Sequence, residues 1–293
     1  MQIVLILAVF FLARGVNMVG MRLGQKDNVN TFMQSVVFTT VYCVLQAVIL
    51  LVIPPYKLIV PEARFYLYPL GFAIFYFLGN VLLIKSFSMG PSSIANTIAS
   101  FNSLIAIAFS VIAWGETLSV FKIIGLALFV AGLIIYNKSS YSVDGEKKSI
   151  SPKWIGLVLA SMFSNGIAVI FTKMSMRDFP QYSKEYLVYF TLIAALIGLI
   201  VILVRGRTEA RKLIREKRLW KHTAYAAASL DVSNIIFVAY INLFPTALFL
   251  PLTSVLGMLA ILIFGRLILH ERVSKSALVS SVICIIAILF LNF

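Results

Sequence analysis

A polar segment near the middle of the chain reads Asn137-Lys-Ser-Ser-Tyr-Ser-Val-Asp-Gly-Glu-Lys-Lys-Ser-Ile-Ser-Pro-Lys153. The sequence on either side of it is almost entirely apolar, apart from short polar turns. This arrangement is typical of two similar units joined by one connection. We therefore predict a first unit over residues 1–137, a linker over residues 138–152 and a second unit over residues 153–293.

The composition indicates that lipid, and not water, surrounds most of this chain. Apolar residues make up 61% of the sequence and charged residues 12%, whereas soluble domains are about half apolar and about a quarter charged. The net charge of +14 is better explained by Lys and Arg in loops facing anionic lipid than by nucleic acid. Cys43 and Cys284 lie in apolar runs and are expected to be small buried hydrophobes.

Apolar runs of about 20 residues, long enough to cross a bilayer, recur along the sequence and predict ten transmembrane helices. The first run lacks the basic start and cleavage site of a signal peptide, so we expect it to be retained. The predicted spans are 2–22, 32–53, 66–88, 91–113, 119–137, 153–173, 185–205, 222–243, 246–268 and 275–292. The predicted fold class is therefore an all-α polytopic membrane protein.

Two pairs of motifs indicate that the second unit repeats the first. Arg22-Leu-Gly-Gln-Lys-Asp27 matches Lys173-Met-Ser-Met-Arg-Asp178 at a shift of 151 residues. Gly115-Glu-Thr-Leu-Ser119 matches His270-Glu-Arg-Val-Ser274 at a shift of 155 residues. Since five helices per repeat is an odd number, the second copy would enter the membrane from the opposite side. Inverted repeats of this kind are common in secondary transporters, whose sites lie near the bilayer midplane between the repeats.

The motifs Gly115-Glu116-Thr117-Leu118-Ser119 and His270-Glu271-Arg272-Val273-Ser274 each lie between the fourth and fifth helix of a repeat. In this setting the chain resembles the EamA type of the drug/metabolite transporter superfamily, over its whole length. The resemblance implies transport of small metabolites, often amino acids or other small polar solutes, and commonly outward. One departure is that members often begin with a few Lys or Arg before the first helix, which this sequence lacks.

The distribution of Lys and Arg predicts an orientation. In the ten-helix plan, 18 of the 25 basic residues fall on the side of the central linker, 6 fall on the other side, and Arg14 lies within the bilayer. The positive-inside rule then places the linker in the cytoplasm and both termini outside. The family resemblance implies the opposite, with both termini inside.

Two charged residues lie deep in predicted spans, Arg14 in the first and Asp231 in the eighth. A charge at the bilayer centre costs about 3 kcal/mol on insertion scales. One interpretation is a mutual ion pair that locks the repeats together and binds nothing. The other is that Arg14 binds a carboxylate or phosphate while Asp231 binds an amine or a proton, so that a zwitterion would satisfy both.

Further polar residues lie at helical spacing in the predicted spans, and they complete the candidate substrate-binding set. Small polar residues also let helices approach closely, so a packing role is the alternative for each. Glu116 and Glu271 are interpreted as structural residues at helix junctions, with Ser119 and Ser274 as N-caps. The additional candidates are Asn17, Asn80, Asn96, Ser100, Asn165 and Asn234.

These patterns favour a secondary active transporter of a small polar metabolite that exports its substrate by alternating access across a bacterial-type plasma membrane. We expect no enzyme activity, cofactor or metal site, because the sequence has no phosphate-binding Gly loop, His/Cys cluster or Ser-His-Asp grouping. The expected partners are the substrate, membrane lipid and a coupling proton or ion, in a monomer or homodimer. Two alternatives are a proton-coupled cation or drug extruder using Asp231 and a flippase for lipid-linked head groups. A third is a non-transporting membrane partner protein whose basic loop, between Arg205 and Lys221, docks a cytoplasmic partner.

Overall fold

The computed structural model describes residues 2–25, 31–52, 59–89, 95, 98–99, 101–140, 151–268 and 275–291. In these ranges the chain forms eleven α-helices and no β-strand. The helices of the first half are α1 (Gln2–Gln25), α2 (Phe32–Val52), α3 (Leu67–Phe87), α4 (Asn102–Trp114) and α5 (Val120–Ser140). Those of the second half are α6 (Pro152–Asp178), α7 (Ser183–Val201), α8 (Arg207–Ile214), α9 (Lys217–Tyr240), α10 (Thr246–Ile268) and α11 (Lys275–Leu291).

The described helices overlap the ten predicted spans, although much of the first part of the fourth span, 91–113, lies outside the described residues. The fold is that of an all-α polytopic membrane protein. Five described segments are long and apolar enough to cross a membrane. Shorter apolar helices lie in α1, α4, α5 and α11. Large apolar side chains such as Ile112 and Val279 are exposed on the outside of the bundle, as expected for a surface that faces lipid.

The connection between Arg205 and Lys221 differs from the predicted loop. It is a π-helical turn (Ile202–Gly206) followed by α8 and the start of α9. The loop prediction is wrong because Ala210 and Leu213, three residues apart, give this charged segment one apolar face, which is buried against the bundle.

The two halves pack in matching ways. When the short α8 is set aside, each half has five long helices, and the first of them crosses the third and fourth of the other half, since α1 packs on α9 and α10 while α6 packs on α3 and α4. The second helices pack together, as do the fifth helices. The larger apolar core lies between α2, α3 and α7, where Phe38, Phe77 and Phe190 are buried. The result is two inverted five-helix repeats.

The contact between α5 and α11 shows this symmetry residue by residue. A Cβ added at Gly125 would lie 2.9 Å from the carbonyl oxygen of Ala287, so only glycine permits this approach. The Ser280 hydroxyl donates to the carbonyl oxygen of Gly132 at 2.5 Å. At the shift of 155 residues, Gly125 corresponds to Ser280 and Gly132 to Ala287, so each contact is the image of the other.

The predicted linker falls largely on residues 141–150, which lie outside the described residues. The boundaries at residues 1–137, 138–152 and 153–293 therefore stay a prediction.

Candidate functional site

Asp231 lies near the middle of α9, and its side chain is turned into the bundle. It is 1% exposed. The Gln46 side-chain amide donates a hydrogen bond to Oδ1 at 3.0 Å. The second oxygen, Oδ2, is buried and has no hydrogen-bond partner among the described residues. Because an ionised carboxylate can accept several hydrogen bonds, this bare oxygen leaves Asp231 able to bind a proton or a donor group of a ligand.

Gln46 joins Asp231 to the third helix. Its Oε1 lies 3.5 Å from the Tyr76 hydroxyl, a long contact, so one amide from α2 reaches both α3 and α9. The sequence analysis did not select Gln46 as a site residue. The available signal was a single amide inside the apolar run from Cys43 to Val52, since a buried amide needs polar partners.

Arg14 lies in the middle of α1 and is half-buried. Its guanidinium carbon is 5.4 Å from the centroid of the Phe10 ring. Within the described part of the chain, its side chain has neither a hydrogen bond nor an ion pair. Five N–H donors of a guanidinium are therefore available to an anion in the interior of a membrane protein.

Arg14 and Asp231 do not form the ion pair that the sequence allowed as one interpretation. Asp231 is bonded to Gln46, and no ion pair of the described residues joins it to Arg14. Both charged groups do interact electrostatically with Tyr42 and Tyr76. They therefore lie near Tyr42 and Tyr76, where α1 and α2 of the first repeat pack on α9 of the second.

Three predicted asparagines already have hydrogen-bond partners inside the bundle. The Asn17 amide donates to the Tyr42 hydroxyl and to the carbonyl oxygen of Ala226, both at 2.8 Å. Asn80 donates to the Tyr76 carbonyl oxygen at 2.8 Å. Asn165 donates to the Ser161 carbonyl oxygen at 3.0 Å. Only the bonds of Asn17 join different helices and so support the packing alternative, because Asn80 and Asn165 bond their own helices.

The remaining predicted residues differ in what the structure says of them. Asn234 is half-buried on α9, three residues from Asp231 and so on the same face. No side-chain hydrogen bond of Asn234 occurs with another described residue. Asn96 and Ser100 lie outside the described residues.

The internal repeat sets Arg14 apart from its counterpart. Asn165 corresponds to Arg14 at the shift of 151 residues. The Ser161 hydroxyl donates to the Gly79 carbonyl oxygen at 2.8 Å, and a Cβ at Gly79 would lie 2.7 Å from the Asn165 amide nitrogen. The crossing of α3 and α6 is thus filled by the hydrogen-bonded amide of Asn165. The matching residue on α1 is Arg14, a cation that has no hydrogen bond or ion pair with another described residue.

A second polar cluster, here called the Glu116 cluster, lies at one end of the bundle and comprises Ser110, Glu116, Lys173 and Thr246. The Lys173 ammonium lies 2.5 Å from Oε1 of Glu116, and the Thr246 hydroxyl donates to the same oxygen at 2.6 Å. Oε2 accepts from the Thr246 backbone N–H at 3.2 Å and from the Ser110 hydroxyl at 3.1 Å. Lys173 also donates to the Thr246 hydroxyl. One carboxylate therefore connects the α4–α5 turn to α6 and to the start of α10.

The surroundings of Glu116 keep it ionised. Burial raises the pKa of its carboxyl group, but hydrogen bonds from Lys173 and Thr246 outweigh burial and hold the pKa below the ordinary value of 4.5. The Lys173 ammonium and the Arg177 guanidinium lie 5.2 Å and 5.3 Å from the centroid of the Trp114 ring. The sequence analysis assigned Glu116 a structural role but did not identify these partners from the other repeat.

The N-cap prediction for Ser119 is confirmed, because its hydroxyl accepts from the Lys122 backbone N–H at 3.2 Å. Glu271 and Ser274, the matching residues of the second repeat, lie outside the described residues.

Comparison with known proteins identifies the family. The model of the EamA-like transporter family matches residues 1–138 and 152–293. No curated protein matches the sequence. One solved structure, described only as the crystal structure of a protein, is similar with a TM-score of 0.67 and 13% sequence identity, over 98% of this chain and 96% of its own. That likeness shows the fold alone. With both repeats matched, the chain belongs to the EamA-like transporter family of the drug/metabolite transporter superfamily and is a multi-pass membrane transporter.

Proposed function

We propose that this protein is a secondary transporter that moves a small zwitterionic or anionic metabolite by alternating access of its two repeats. One observation carries the proposal: Arg14 and Asp231 keep unused bonding capacity around the same two tyrosines, between the repeats. A charge in the bilayer interior costs about 3 kcal/mol. A substrate that neutralises both groups accounts for their presence better than packing does.

The two groups complement an amino-acid-like solute. The Arg14 guanidinium has planar donors that fit a carboxylate with two parallel hydrogen bonds. The bare oxygen of Asp231 accepts from an ammonium group. Asn234, one turn along α9, has an amide that can bind a further polar group of the same solute. Asn17 serves to hold Tyr42 in place in this proposal, because its amide nitrogen already donates to the Tyr42 hydroxyl and to the Ala226 carbonyl oxygen.

Alternating access requires contacts that join the repeats at one end and then separate. The Glu116 cluster fits this role, since Glu116 and Ser110 belong to the first repeat while Lys173 and Thr246 belong to the second. We propose that the conformation described here is closed at this end. Export and a bacterial inner membrane remain parts of the proposal, supported by the family resemblance. A cytoplasmic basic connection is also part of it, supported by the distribution of Lys and Arg.

A thermal-shift screen of the purified protein tests the substrate class. Zwitterions, simple carboxylates and simple amines are compared on the wild type and on the Arg14→Gln and Asp231→Asn variants. Zwitterions should raise the Tm of the wild type most. Arg14→Gln should abolish the response to carboxylates, and Asp231→Asn the response to amines. A wild type that responds to none of these classes, together with full flux in liposomes for both variants, would contradict the proposal.

A second candidate is a proton-coupled extruder of cationic compounds. The bare Oδ2 of Asp231 favours it, because an organic cation and a proton can compete for one carboxylate. In this case Arg14 only balances charge. Flux of cations that survives Arg14→Gln but not Asp231→Asn would select this candidate over the first.

A further inference from the structure

We propose that the outer surface of α8, together with the turn before it and the first residues of α9, binds the head groups of anionic phospholipids in the bilayer that the protein spans. The proposal concerns exposed cations close together in the chain, here called the basic surface. Within the described part of the chain none of them takes part in an ion pair. They are Arg205, Arg207, Arg211, Lys212, Arg215, Lys217 and Lys221.

The basic surface lies where the chain leaves the membrane core. α7 has 19 residues, which corresponds to about 28 Å of helix, close to the hydrocarbon thickness of about 30 Å. The π-helical turn after it carries Leu203 and Val204, which are 57% and 74% exposed, followed directly by Arg205. Apolar side chains beside exposed cations are typical of the boundary between acyl chains and head groups.

α8 is held against the bundle by one face and turns its cations away from it. Ala210 and Leu213 are buried, and the preceding Gly206 lies against Met33 of α2. The arginines at positions 207, 211 and 215 follow at intervals of four residues, so they share one face of the helical segment. Like charges at this spacing destabilise a helix. A row of anionic groups outside the protein would remove that repulsion.

A tryptophan next to this row supports a bilayer as the partner rather than a soluble acidic protein. The Trp220 indole N–H donates to the Ile214 carbonyl oxygen at 2.8 Å. Its ring is 37% exposed and Ile214 is 43% exposed. Tryptophan is enriched at membrane interfaces, where its ring sits at the level of the head groups. An acidic protein partner would account for the cations but not for the exposed apolar side chains continuous with them.

Trp220 also provides the assay. The full-length protein is placed in nanodiscs of phosphatidylcholine containing the same fraction of either brominated phosphatidylglycerol or brominated phosphatidylcholine, and tryptophan quenching is compared. The Trp220→Phe variant gives the signal of Trp114 and Trp154, which is subtracted. The brominated anionic lipid should quench Trp220 more strongly than the brominated zwitterionic lipid. High salt should weaken this preference, since the screening length falls to about 3 Å at 1 M.

Two matched variants decide the outcome. Each cation near an anionic membrane corresponds to about fivefold in binding, so Arg211→Gln with Arg215→Gln should lower the preference for the anionic lipid about twenty-five-fold. Arg64→Gln with Lys184→Gln removes the same charge from the opposite end of the bundle and should leave the preference unchanged. Equal quenching by both lipids in the wild type, no change in the first variant, or an equal loss in both variants would overturn the proposal.

Discussion

If the Glu116 cluster is the gate that we propose, replacing Glu116 by Gln should open that end of the bundle. The change keeps the size of the side chain but leaves the Lys173 ammonium without its carboxylate. Removing one partner of a fully buried pair costs about 3–5 kcal/mol. Because the Glu116 side chain is 26% exposed, solvent screens part of this loss. We expect the closed conformation to lose about 2 kcal/mol, which shifts the equilibrium towards the open one about thirtyfold.

Labelling of a cysteine at Asn234 measures this shift. The protein, with Cys43 and Cys284 replaced by Ala, is placed in vesicles of both orientations and treated with a membrane-impermeant maleimide. A separate cysteine at the exposed Thr117 reports which vesicles display the Glu116 end. In those vesicles the Glu116→Gln change should raise the labelling rate about thirtyfold, and in the others it should lower the rate, because alternating access opens one end at a time.

A control variant tests whether the loss of any carboxylate has the same effect. Glu216→Gln neutralises an exposed carboxylate away from the cluster and should leave both labelling rates unchanged. If Glu116→Gln raised labelling in both kinds of vesicle, the bundle would be loosened rather than switched. If it changed neither rate, the Glu116 cluster would not be a gate.

The remaining predictions concern stability and acid. Because the pKa of Glu116 is lowered, its contribution to closure is fully present above the ordinary pKa of 4.5 and is lost as the pH falls below that value. Labelling from the Glu116 end should therefore stay constant around neutral pH and rise only in acid. Asn17→Leu removes two buried hydrogen bonds and leaves their acceptors bare, so the free energy of unfolding should fall by about 2 kcal/mol in a denaturation assay. An unchanged value would refute the role of Asn17 in holding Tyr42. Gly132→Ala should lower the free energy of unfolding by about 1–3 kcal/mol, because the added Cβ would collide with Cys284. As a control in the same assay, Gly156→Ala has open space around its Cβ and should be neutral or stabilising by up to about 1 kcal/mol. Asp231→Asn should abolish or uncouple flux without lowering the Tm, because a neutral amide is cheaper to bury than a half-satisfied carboxylate; a large fall in Tm would give Asp231 a structural role.

The helices were predictable because lipid imposes a simple rule on sequence. Each span must be apolar and about 20 residues long, and the runs of this chain satisfy that rule. The depth of Arg14 and Asp231 followed from the same spans. α8 escaped prediction because eight residues with three cations and three apolar side chains carry too little apolar pattern to stand out.

The partners of the site residues were not predictable, because they depend on packing between distant parts of the chain. Gln46 and Asp231 are 185 positions apart, and Lys173 and Glu116 are 57 apart. Asn80 and Asn165 look in the sequence like free amides, yet each bonds a carbonyl oxygen four residues earlier in its own helix. The sequence shows which polar groups enter the membrane but not which of them satisfy one another.

The reciprocal contacts of Gly125 with Ala287 and of Ser280 with Gly132 have a consequence for assembly. Each half contributes the same kind of surface to this contact, so the two halves can recognise each other without the peptide that joins them. Severing the chain near residue 145 and co-expressing the fragments should therefore reconstitute the carrier.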